Sequence, residues 1–307
     1  MIRTDFEYES RDGVSRIHAI KWEPETEAIG VLILVHGMAE TLDRYEEFAE
    51  FMCDKGFVVA GNEHLGHGKS VGKNPKGYFC RRDPATVVVR DVHRLKKKIQ
   101  SEYPSLPIFI FGHSMGSLIT RNYITKYGSG INGTVISGTL MMNKGLLVGM
   151  GFICKILQLV FGPKHPSPFL DKAAFGTYCN KIDSPRTPFD WLTRDVAIVN
   201  KYIADPDCGF VFTINGFYTL KELMIRLHKE KLLNQIPKDL PVLFVYGGQD
   251  PCGEYGEAVR RVYKQYVDLG IKDVTEKEYQ DDRHEILNEL DKADVMTYVY
   301  DWIKERM

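Results

Sequence analysis

The chain has 307 residues, 44% of them hydrophobic and 26% charged, ordinary values for a water-soluble globular protein with a sizeable core. Lys and Arg number 40 against 41 Asp and Glu, a formal net charge of −1. No overall basic field exists to draw in nucleic acid, so a nucleic-acid-binding role is not expected.

The first residues, MIRTDFEYESRDG, are polar and acidic, without the apolar stretch and cleavage site of a secretory signal. Strands are predicted at 6–9 and 17–22, divided by the turn residues Asp12-Gly13. The rhythm then changes. Short apolar runs at 31–35, 57–60, 108–111, 134–137 and 242–246, with a weaker one at 274–279, read as parallel strands. They alternate with amphipathic stretches near 44–55, 86–102, 115–127, 217–233, 254–269 and 293–305. Such alternation predicts an α/β fold with a mostly parallel central sheet and helices on both faces.

Residues 139–215 break the pattern, and they are read as a cap inserted into a core formed by 1–138 and 216–307. The cap holds an apolar stretch, GLLVGMGFICKILQLVFG at 145–162, followed by the Pro-rich Gly162-Pro163-Lys164-His165-Pro166-Ser167-Pro168. The stretch is at the short limit for crossing a bilayer and contains Lys155 and Gln158. A buried or half-buried helix is therefore expected. Its surplus apolar residues suit an acyl tunnel or a transient contact between cap and membrane surface. Six cysteines (Cys53, Cys80, Cys154, Cys179, Cys208, Cys252) show no CxxC spacing. They read as free thiols, which places the chain in the cytoplasm.

Gly112-His113-Ser114-Met115-Gly116 fits G-x-S-x-G. The pattern alone is common, but here a strand-like run, Pro107-Ile108-Phe109-Ile110-Phe111, precedes it and a helix-like one follows. That is the setting of a nucleophile elbow, in which the acid and the histidine come later in the chain. Of nine histidines, only His284 lies beyond both Ser114 and the candidate acid. His18 and His93 read as surface residues, and His36, His64, His67 and His113 as hydrogen-bonding braces in glycine turns. Asp250 follows the apolar run ending at Tyr246 and is the expected acid, whereas Glu254 reads as the opening of a helix. The oxyanion donors expected are the backbone N–H groups of Met115 and of Met38, which follows His36-Gly37. No metal or cofactor is expected: His64 and His67 lack HExxH spacing and a third ligand, and no G-x-G-x-x-G follows a strand.

With these residues in place, the chain resembles the monoacylglycerol lipase and lysophospholipase group of the α/β-hydrolases, bacterial members above all. The matching pieces are His36-Gly37-Met38-Ala39-Glu40 with Arg44-Tyr45, Gly66-His67-Gly68-Lys69-Ser70, Gly112-His113-Ser114-Met115-Gly116-Ser117, Phe189-Asp190-Trp191-Leu192-Thr193-Arg194-Asp195, Asp250-Pro251 and Arg283-His284-Glu285-Ile286-Leu287-Asn288-Glu289. The resemblance implies that Ser114, Asp250 and His284 are the triad and that the substrate is a small-molecule ester or lipid. Two departures stand out: Glu63 where relatives have Asp, and Asp281-Asp282 where small residues commonly precede Arg-His-Glu. Alternatives are a small-ester carboxylesterase, a proline iminopeptidase-like peptidase, or a non-catalytic binding protein on the same fold. Nothing in the sequence fixes an oligomeric state.

Overall fold

The computed structural model describes all of residues 1–307. Two antiparallel strands open the chain, β1 (Ile2–Glu9) and β2 (Arg16–Glu23), and β2 pairs antiparallel with β4 (Phe57–Asn62). All other pairings are parallel. Strands β3 (Gly30–Val35), β5 (Ile108–His113), β6 (Gly133–Ser137), β7 (Val242–Gly247) and β8 (Val274–Tyr279) complete an eight-stranded sheet of order β1-β2-β4-β3-β5-β6-β7-β8.

Alternation along each strand divides the core in two. Val31, Ile33 and Val35 of β3 face one apolar cluster, with α2 (Pro84–Glu102), α3 (Met115–Tyr127), α7 (Ile214–Arg226) and α9 (Glu257–Asp268). Leu32 and Leu34 face the other, with α1 (Glu46–Asp54) and α10 (Lys292–Lys304). Side chains on a strand point to opposite faces in turn, so a continuously apolar β3 needs helices on both sides.

Between β6 and α7 the chain carries α4 (Lys144–Phe161), α5 (Pro168–Phe175) and α6 (Val196–Ala204), and the short α8 (Glu230–Leu233) follows α7. This insertion meets the loops beyond the C-terminal ends of the strands. Gly209 N–H and the Tyr202 hydroxyl both donate to Ala39 O, and Glu285 N–H donates to Leu192 O at 2.8 Å.

Three expectations need correction. The stretch 145–162 does form a helix, α4, but it is neither buried nor half-buried. It meets the protein along one stripe, with Leu147, Gly151 and Cys154 buried and Met150 and Leu157 partly so, and a side chain at Gly151 would strike Lys221 Cε at 2.7 Å. Leu146, Val148, Phe152, Leu159, Val160 and Phe161 face outward, Phe152 being 67% exposed and Leu159 88%, so these residues line no internal tunnel. By length and composition α4 is apolar enough to cross a membrane. Glu254 does not open a helix. Glu254, Tyr255 and Gly256 all have positive φ, and α9 starts at Glu257. His18 is not at the surface either: it is buried, with Nε2 2.8 Å from Asp5 Oδ1 and Nδ1 3.5 Å from Glu63 Oε2.

Candidate active site

Strand β5 runs straight into Ser114, whose backbone has φ 53° and ψ −117° before α3 begins at Met115. Positive φ in a residue with a Cβ is strained, and it persists only where surroundings enforce it. Here they do. A Cβ at Gly116 would lie 1.9 Å from Val35 O, and one at Gly112 would lie 2.3 Å from Thr120 Oγ1. Both glycines let helix and strand close on the turn and push the Ser114 side chain up from it.

Asp250 follows β7 and His284 follows β8, so the sheet order delivers both to the rim where β5 ends. His284 Nε2 lies 2.8 Å from Ser114 Oγ, and Nδ1 lies 2.9 Å from Asp250 Oδ2. A carboxylate only accepts, so Nδ1 carries the proton and donates, and Nε2 is left as the acceptor for the serine hydroxyl. Asp250 Oδ1 accepts from Cys252 N–H at 2.8 Å. Asp250 is 1% exposed and His284 2%, whereas Ser114 is half-buried and reachable. Burial alone would depress the imidazole, but the charge and hydrogen bond of Asp250, backed by Glu285 and Glu40, hold its pKa above the ordinary value. The neighbouring His113, whose ring is 4.8 Å from that of His284, is pushed down to about 3 by burial and by His284, so it stays neutral beside it.

The two expected oxyanion donors flank this point. Met115 is the first residue of α3, so its N–H has no acceptor within the helix. Gly37 brings the His36-Gly37-Met38 turn against the serine, since a Cβ there would come within 3.2 Å of Ser114 Cβ. The turn is heavily braced. Gly37 N–H donates to Glu40, and Tyr45 OH does so at 2.7 Å. Arg44 joins Glu40, at 2.7 Å, to Glu285, at 2.6 Å, tying the turn to the residue after His284. His64 N–H donates to His36 Nε2, and Ala39 N–H to His67 Nε2. All three rings are buried and held below the ordinary histidine range by desolvation, so His36 and His67 act as neutral acceptors while His64 donates from Nε2 to His36 O. His64 and His67 have both ring nitrogens engaged in hydrogen bonds, which leaves no lone pair directed at a metal.

Sequence reasoning did not assign roles to Glu40, Arg44, Trp191, Arg194 or Glu285, although all five lay in the matching pieces quoted above. Trp191 packs its ring 5.0 Å from that of His284, on a tilted approach.

Comparison with known proteins agrees with this architecture. The family described as "Serine aminopeptidase, S33" matches residues 26–291. The chain is 27% identical to a monoacylglycerol lipase of Mycolicibacterium smegmatis, over 98% of this chain and 97% of that one. It is 31% identical to the monoglyceride lipase of Mus musculus, over 93% and 86% respectively. Among solved structures, a thermostable carboxyl esterase from Bacillus coagulans, in complex with glycerol, superposes with a TM-score of 0.91 at 29% identity, covering 100% of this chain and 99% of that one. The chain therefore belongs to the S33 serine hydrolase family of the α/β-hydrolase fold, in its monoacylglycerol lipase and lysophospholipase group, and is a serine ester hydrolase.

Proposed function

We propose that the chain cleaves monoacylglycerol or lysophospholipid esters by two-step acyl transfer at Ser114, His284 and Asp250. The observation that carries the reaction is the unbroken hydrogen-bonded line from Ser114 Oγ through His284 to Asp250. His284 takes the hydroxyl proton as Ser114 attacks the ester carbonyl, then returns it to the departing alcohol. Water activated by the same imidazole releases the acid. Met38 and Met115 N–H groups hold the developing oxyanion. Met38→Ala keeps that donor and should change kcat little, whereas Met38→Pro deletes it and should raise the barrier by about 3 kcal/mol. Steady-state kinetics of the two variants, side by side, read the difference.

Residues 1–138 and 216–307 form the catalytic core in this reading, and 139–215 the cap. The exposed side of α4 supports a substrate held in lipid. From residue 144 to residue 170 the only charged side chains are Lys144, Lys155 and Lys164, with His165 beside them and no acid. An apolar helix rimmed by cations suits an anionic membrane surface. Burying three of its large side chains among acyl chains would contribute roughly 5–9 kcal/mol. That is comparable to the cost of association, so contact is reversible rather than permanent. All six cysteines are free, in keeping with a reducing, cytoplasmic setting.

The likeness to a carboxyl esterase crystallised with glycerol favours one rival, a small-ester esterase. A monoacylglycerol series from acetyl to oleoyl, assayed with and without anionic vesicles, separates them. Lipase action predicts that kcat/KM climbs with chain length and that vesicle binding is lost in Phe152→Glu/Leu159→Glu. Acetyl and butyryl esters as the best substrates would make the chain a small-ester esterase.

A further inference from the structure

The loop that carries His284 is wedged between the sheet and the cap. On the sheet side it lies flat on β7: a Cβ at Gly247 would come within 2.2 Å of Asp282 O, and Gln249 N–H donates to that same oxygen at 2.8 Å. On the cap side, residues 190–194 run along it. Arg283 Nη1 donates to Asp190 O at 2.6 Å, His284 N–H to Trp191 O at 3.4 Å, and Thr193 Oγ1 to Asn288 O at 2.8 Å.

At the centre of this seam stand three carboxylates, Asp282, Glu289 and Asp291, with oxygens within 4.8 Å of one another. Asp282 and Glu289 are fully buried, and Asp282 Oδ2 has no partner. The cation that answers them is Arg194. Its Nε donates to Glu289 Oε2 at 2.9 Å, its Nη2 to Asp291 Oδ1 at 2.9 Å and also to Asp282 Oδ1, and its own N–H to Glu289 Oε1 at 3.1 Å. Glu289 Oε1 accepts in addition from Arg283 N–H at 2.8 Å, one residue from the imidazole.

We propose that Arg194 is a positioning residue for the reaction, reaching from the cap into these carboxylates so as to hold the His284 loop in register with Ser114. The inference rests on reading Ser114 and His284 as nucleophile and base. Like charges packed this closely in a poorly solvated seam repel strongly. Burial, then Asp291 and Glu289, push Asp282 up to about 8, so near neutral pH it is largely protonated and the charges that Arg194 answers are those of Glu289 and Asp291. Remove the guanidinium and buried Glu289, whose Oε1 holds the Arg283 N–H next to His284, loses both its cation and the fork that orients it. A displacement near 1 Å between reacting groups costs on the order of 10²-fold in rate.

The test uses the whole chain and two readouts: kcat and KM on a soluble short-chain ester, and the rate constant for fluorophosphonate labelling of Ser114. Arg194→Met should lower kcat and the labelling rate together by about 10–100-fold, with KM nearly unchanged. Arg194→Lys, which keeps the charge but not the fork, should recover part of the loss. Arg194→Met/Glu289→Gln should recover more, because no buried charge is then left without its cation and Oε1 can still accept from Arg283 N–H. Should Arg194→Met not fold, Arg194→Lys carries the comparison, with kcat lowered and KM unchanged. Folded Arg194→Met with wild-type kcat and labelling rate would overturn the proposal, as would a lowered Tm whose folded fraction turns over at full rate. Wild-type protein that is not labelled at Ser114 would instead remove the nucleophile reading on which the proposal stands.

Discussion

Ser114→Ala should lower kcat for ester hydrolysis by on the order of 10⁶-fold while the fold survives. The substitution removes a single oxygen. Alanine tolerates φ 53° no worse than serine does, and the enforcing contacts at Gly112 and Gly116 are untouched. What disappears is the hydroxyl 2.8 Å from His284 Nε2. The imidazole is then left with no proton to take, and only binding and the oxyanion donors act on the ester. Such residual catalysis is worth roughly 10³–10⁴ over water in serine proteases. Steady-state assays with circular dichroism as a folding control check the result. Activity within tenfold of wild type would mean that another residue attacks.

Asp250→Asn should lower kcat by about 10⁴-fold. In the present arrangement Nδ1–H donates to Oδ2 and fixes the tautomer, while Oδ1 is held by Cys252 N–H. An amide turned to keep the Cys252 bond presents NH₂ to Nδ1, which then must accept. The imidazole proton moves to Nε2, where Ser114 needs a lone pair. The pH profile should change as well. In the proposed mechanism His284 acts as base only when neutral, and its pKa lies above the ordinary 6.5 through Asp250 despite burial. Wild-type activity is therefore lost as pH falls through a midpoint above 6.5. Without the Asp250 charge, burial dominates and the residual activity should persist to lower pH. An unchanged acid limb and near-full turnover would place the orienting acid elsewhere.

Much of this was legible because it is local. Gly112, Ser114 and Gly116 sit between a β-branched and aromatic run and a helical one, and strand, turn and helix follow from neighbours along the chain. His284 and Asp250 were found by order and by elimination, since each parallel strand ends at the same rim. The misreadings came from tertiary context. The composition of α4 states that it is apolar, but only its neighbours decide whether that surface is covered, and α7 covers a single stripe of it. His18 looked peripheral by pattern, yet Asp5 and Glu63 close around it from other parts of the chain. Glu254 carried a helix-opening signature that three left-handed residues in succession override. Arg194 lies 88 residues before Asp282, and no periodicity in sequence foretells that pairing.

The central claim is that acyl transfer passes through Ser114. Turnover of p-nitrophenyl laurate, stopped with acid within milliseconds and followed by intact-mass and peptide measurements, tests it most directly. The account predicts a protein heavier by one lauroyl group, with the added mass on the peptide that contains Ser114 and absent from Ser114→Ala. An acyl group on any other residue, or steady hydrolysis by Ser114→Ala at the wild-type rate, would contradict it.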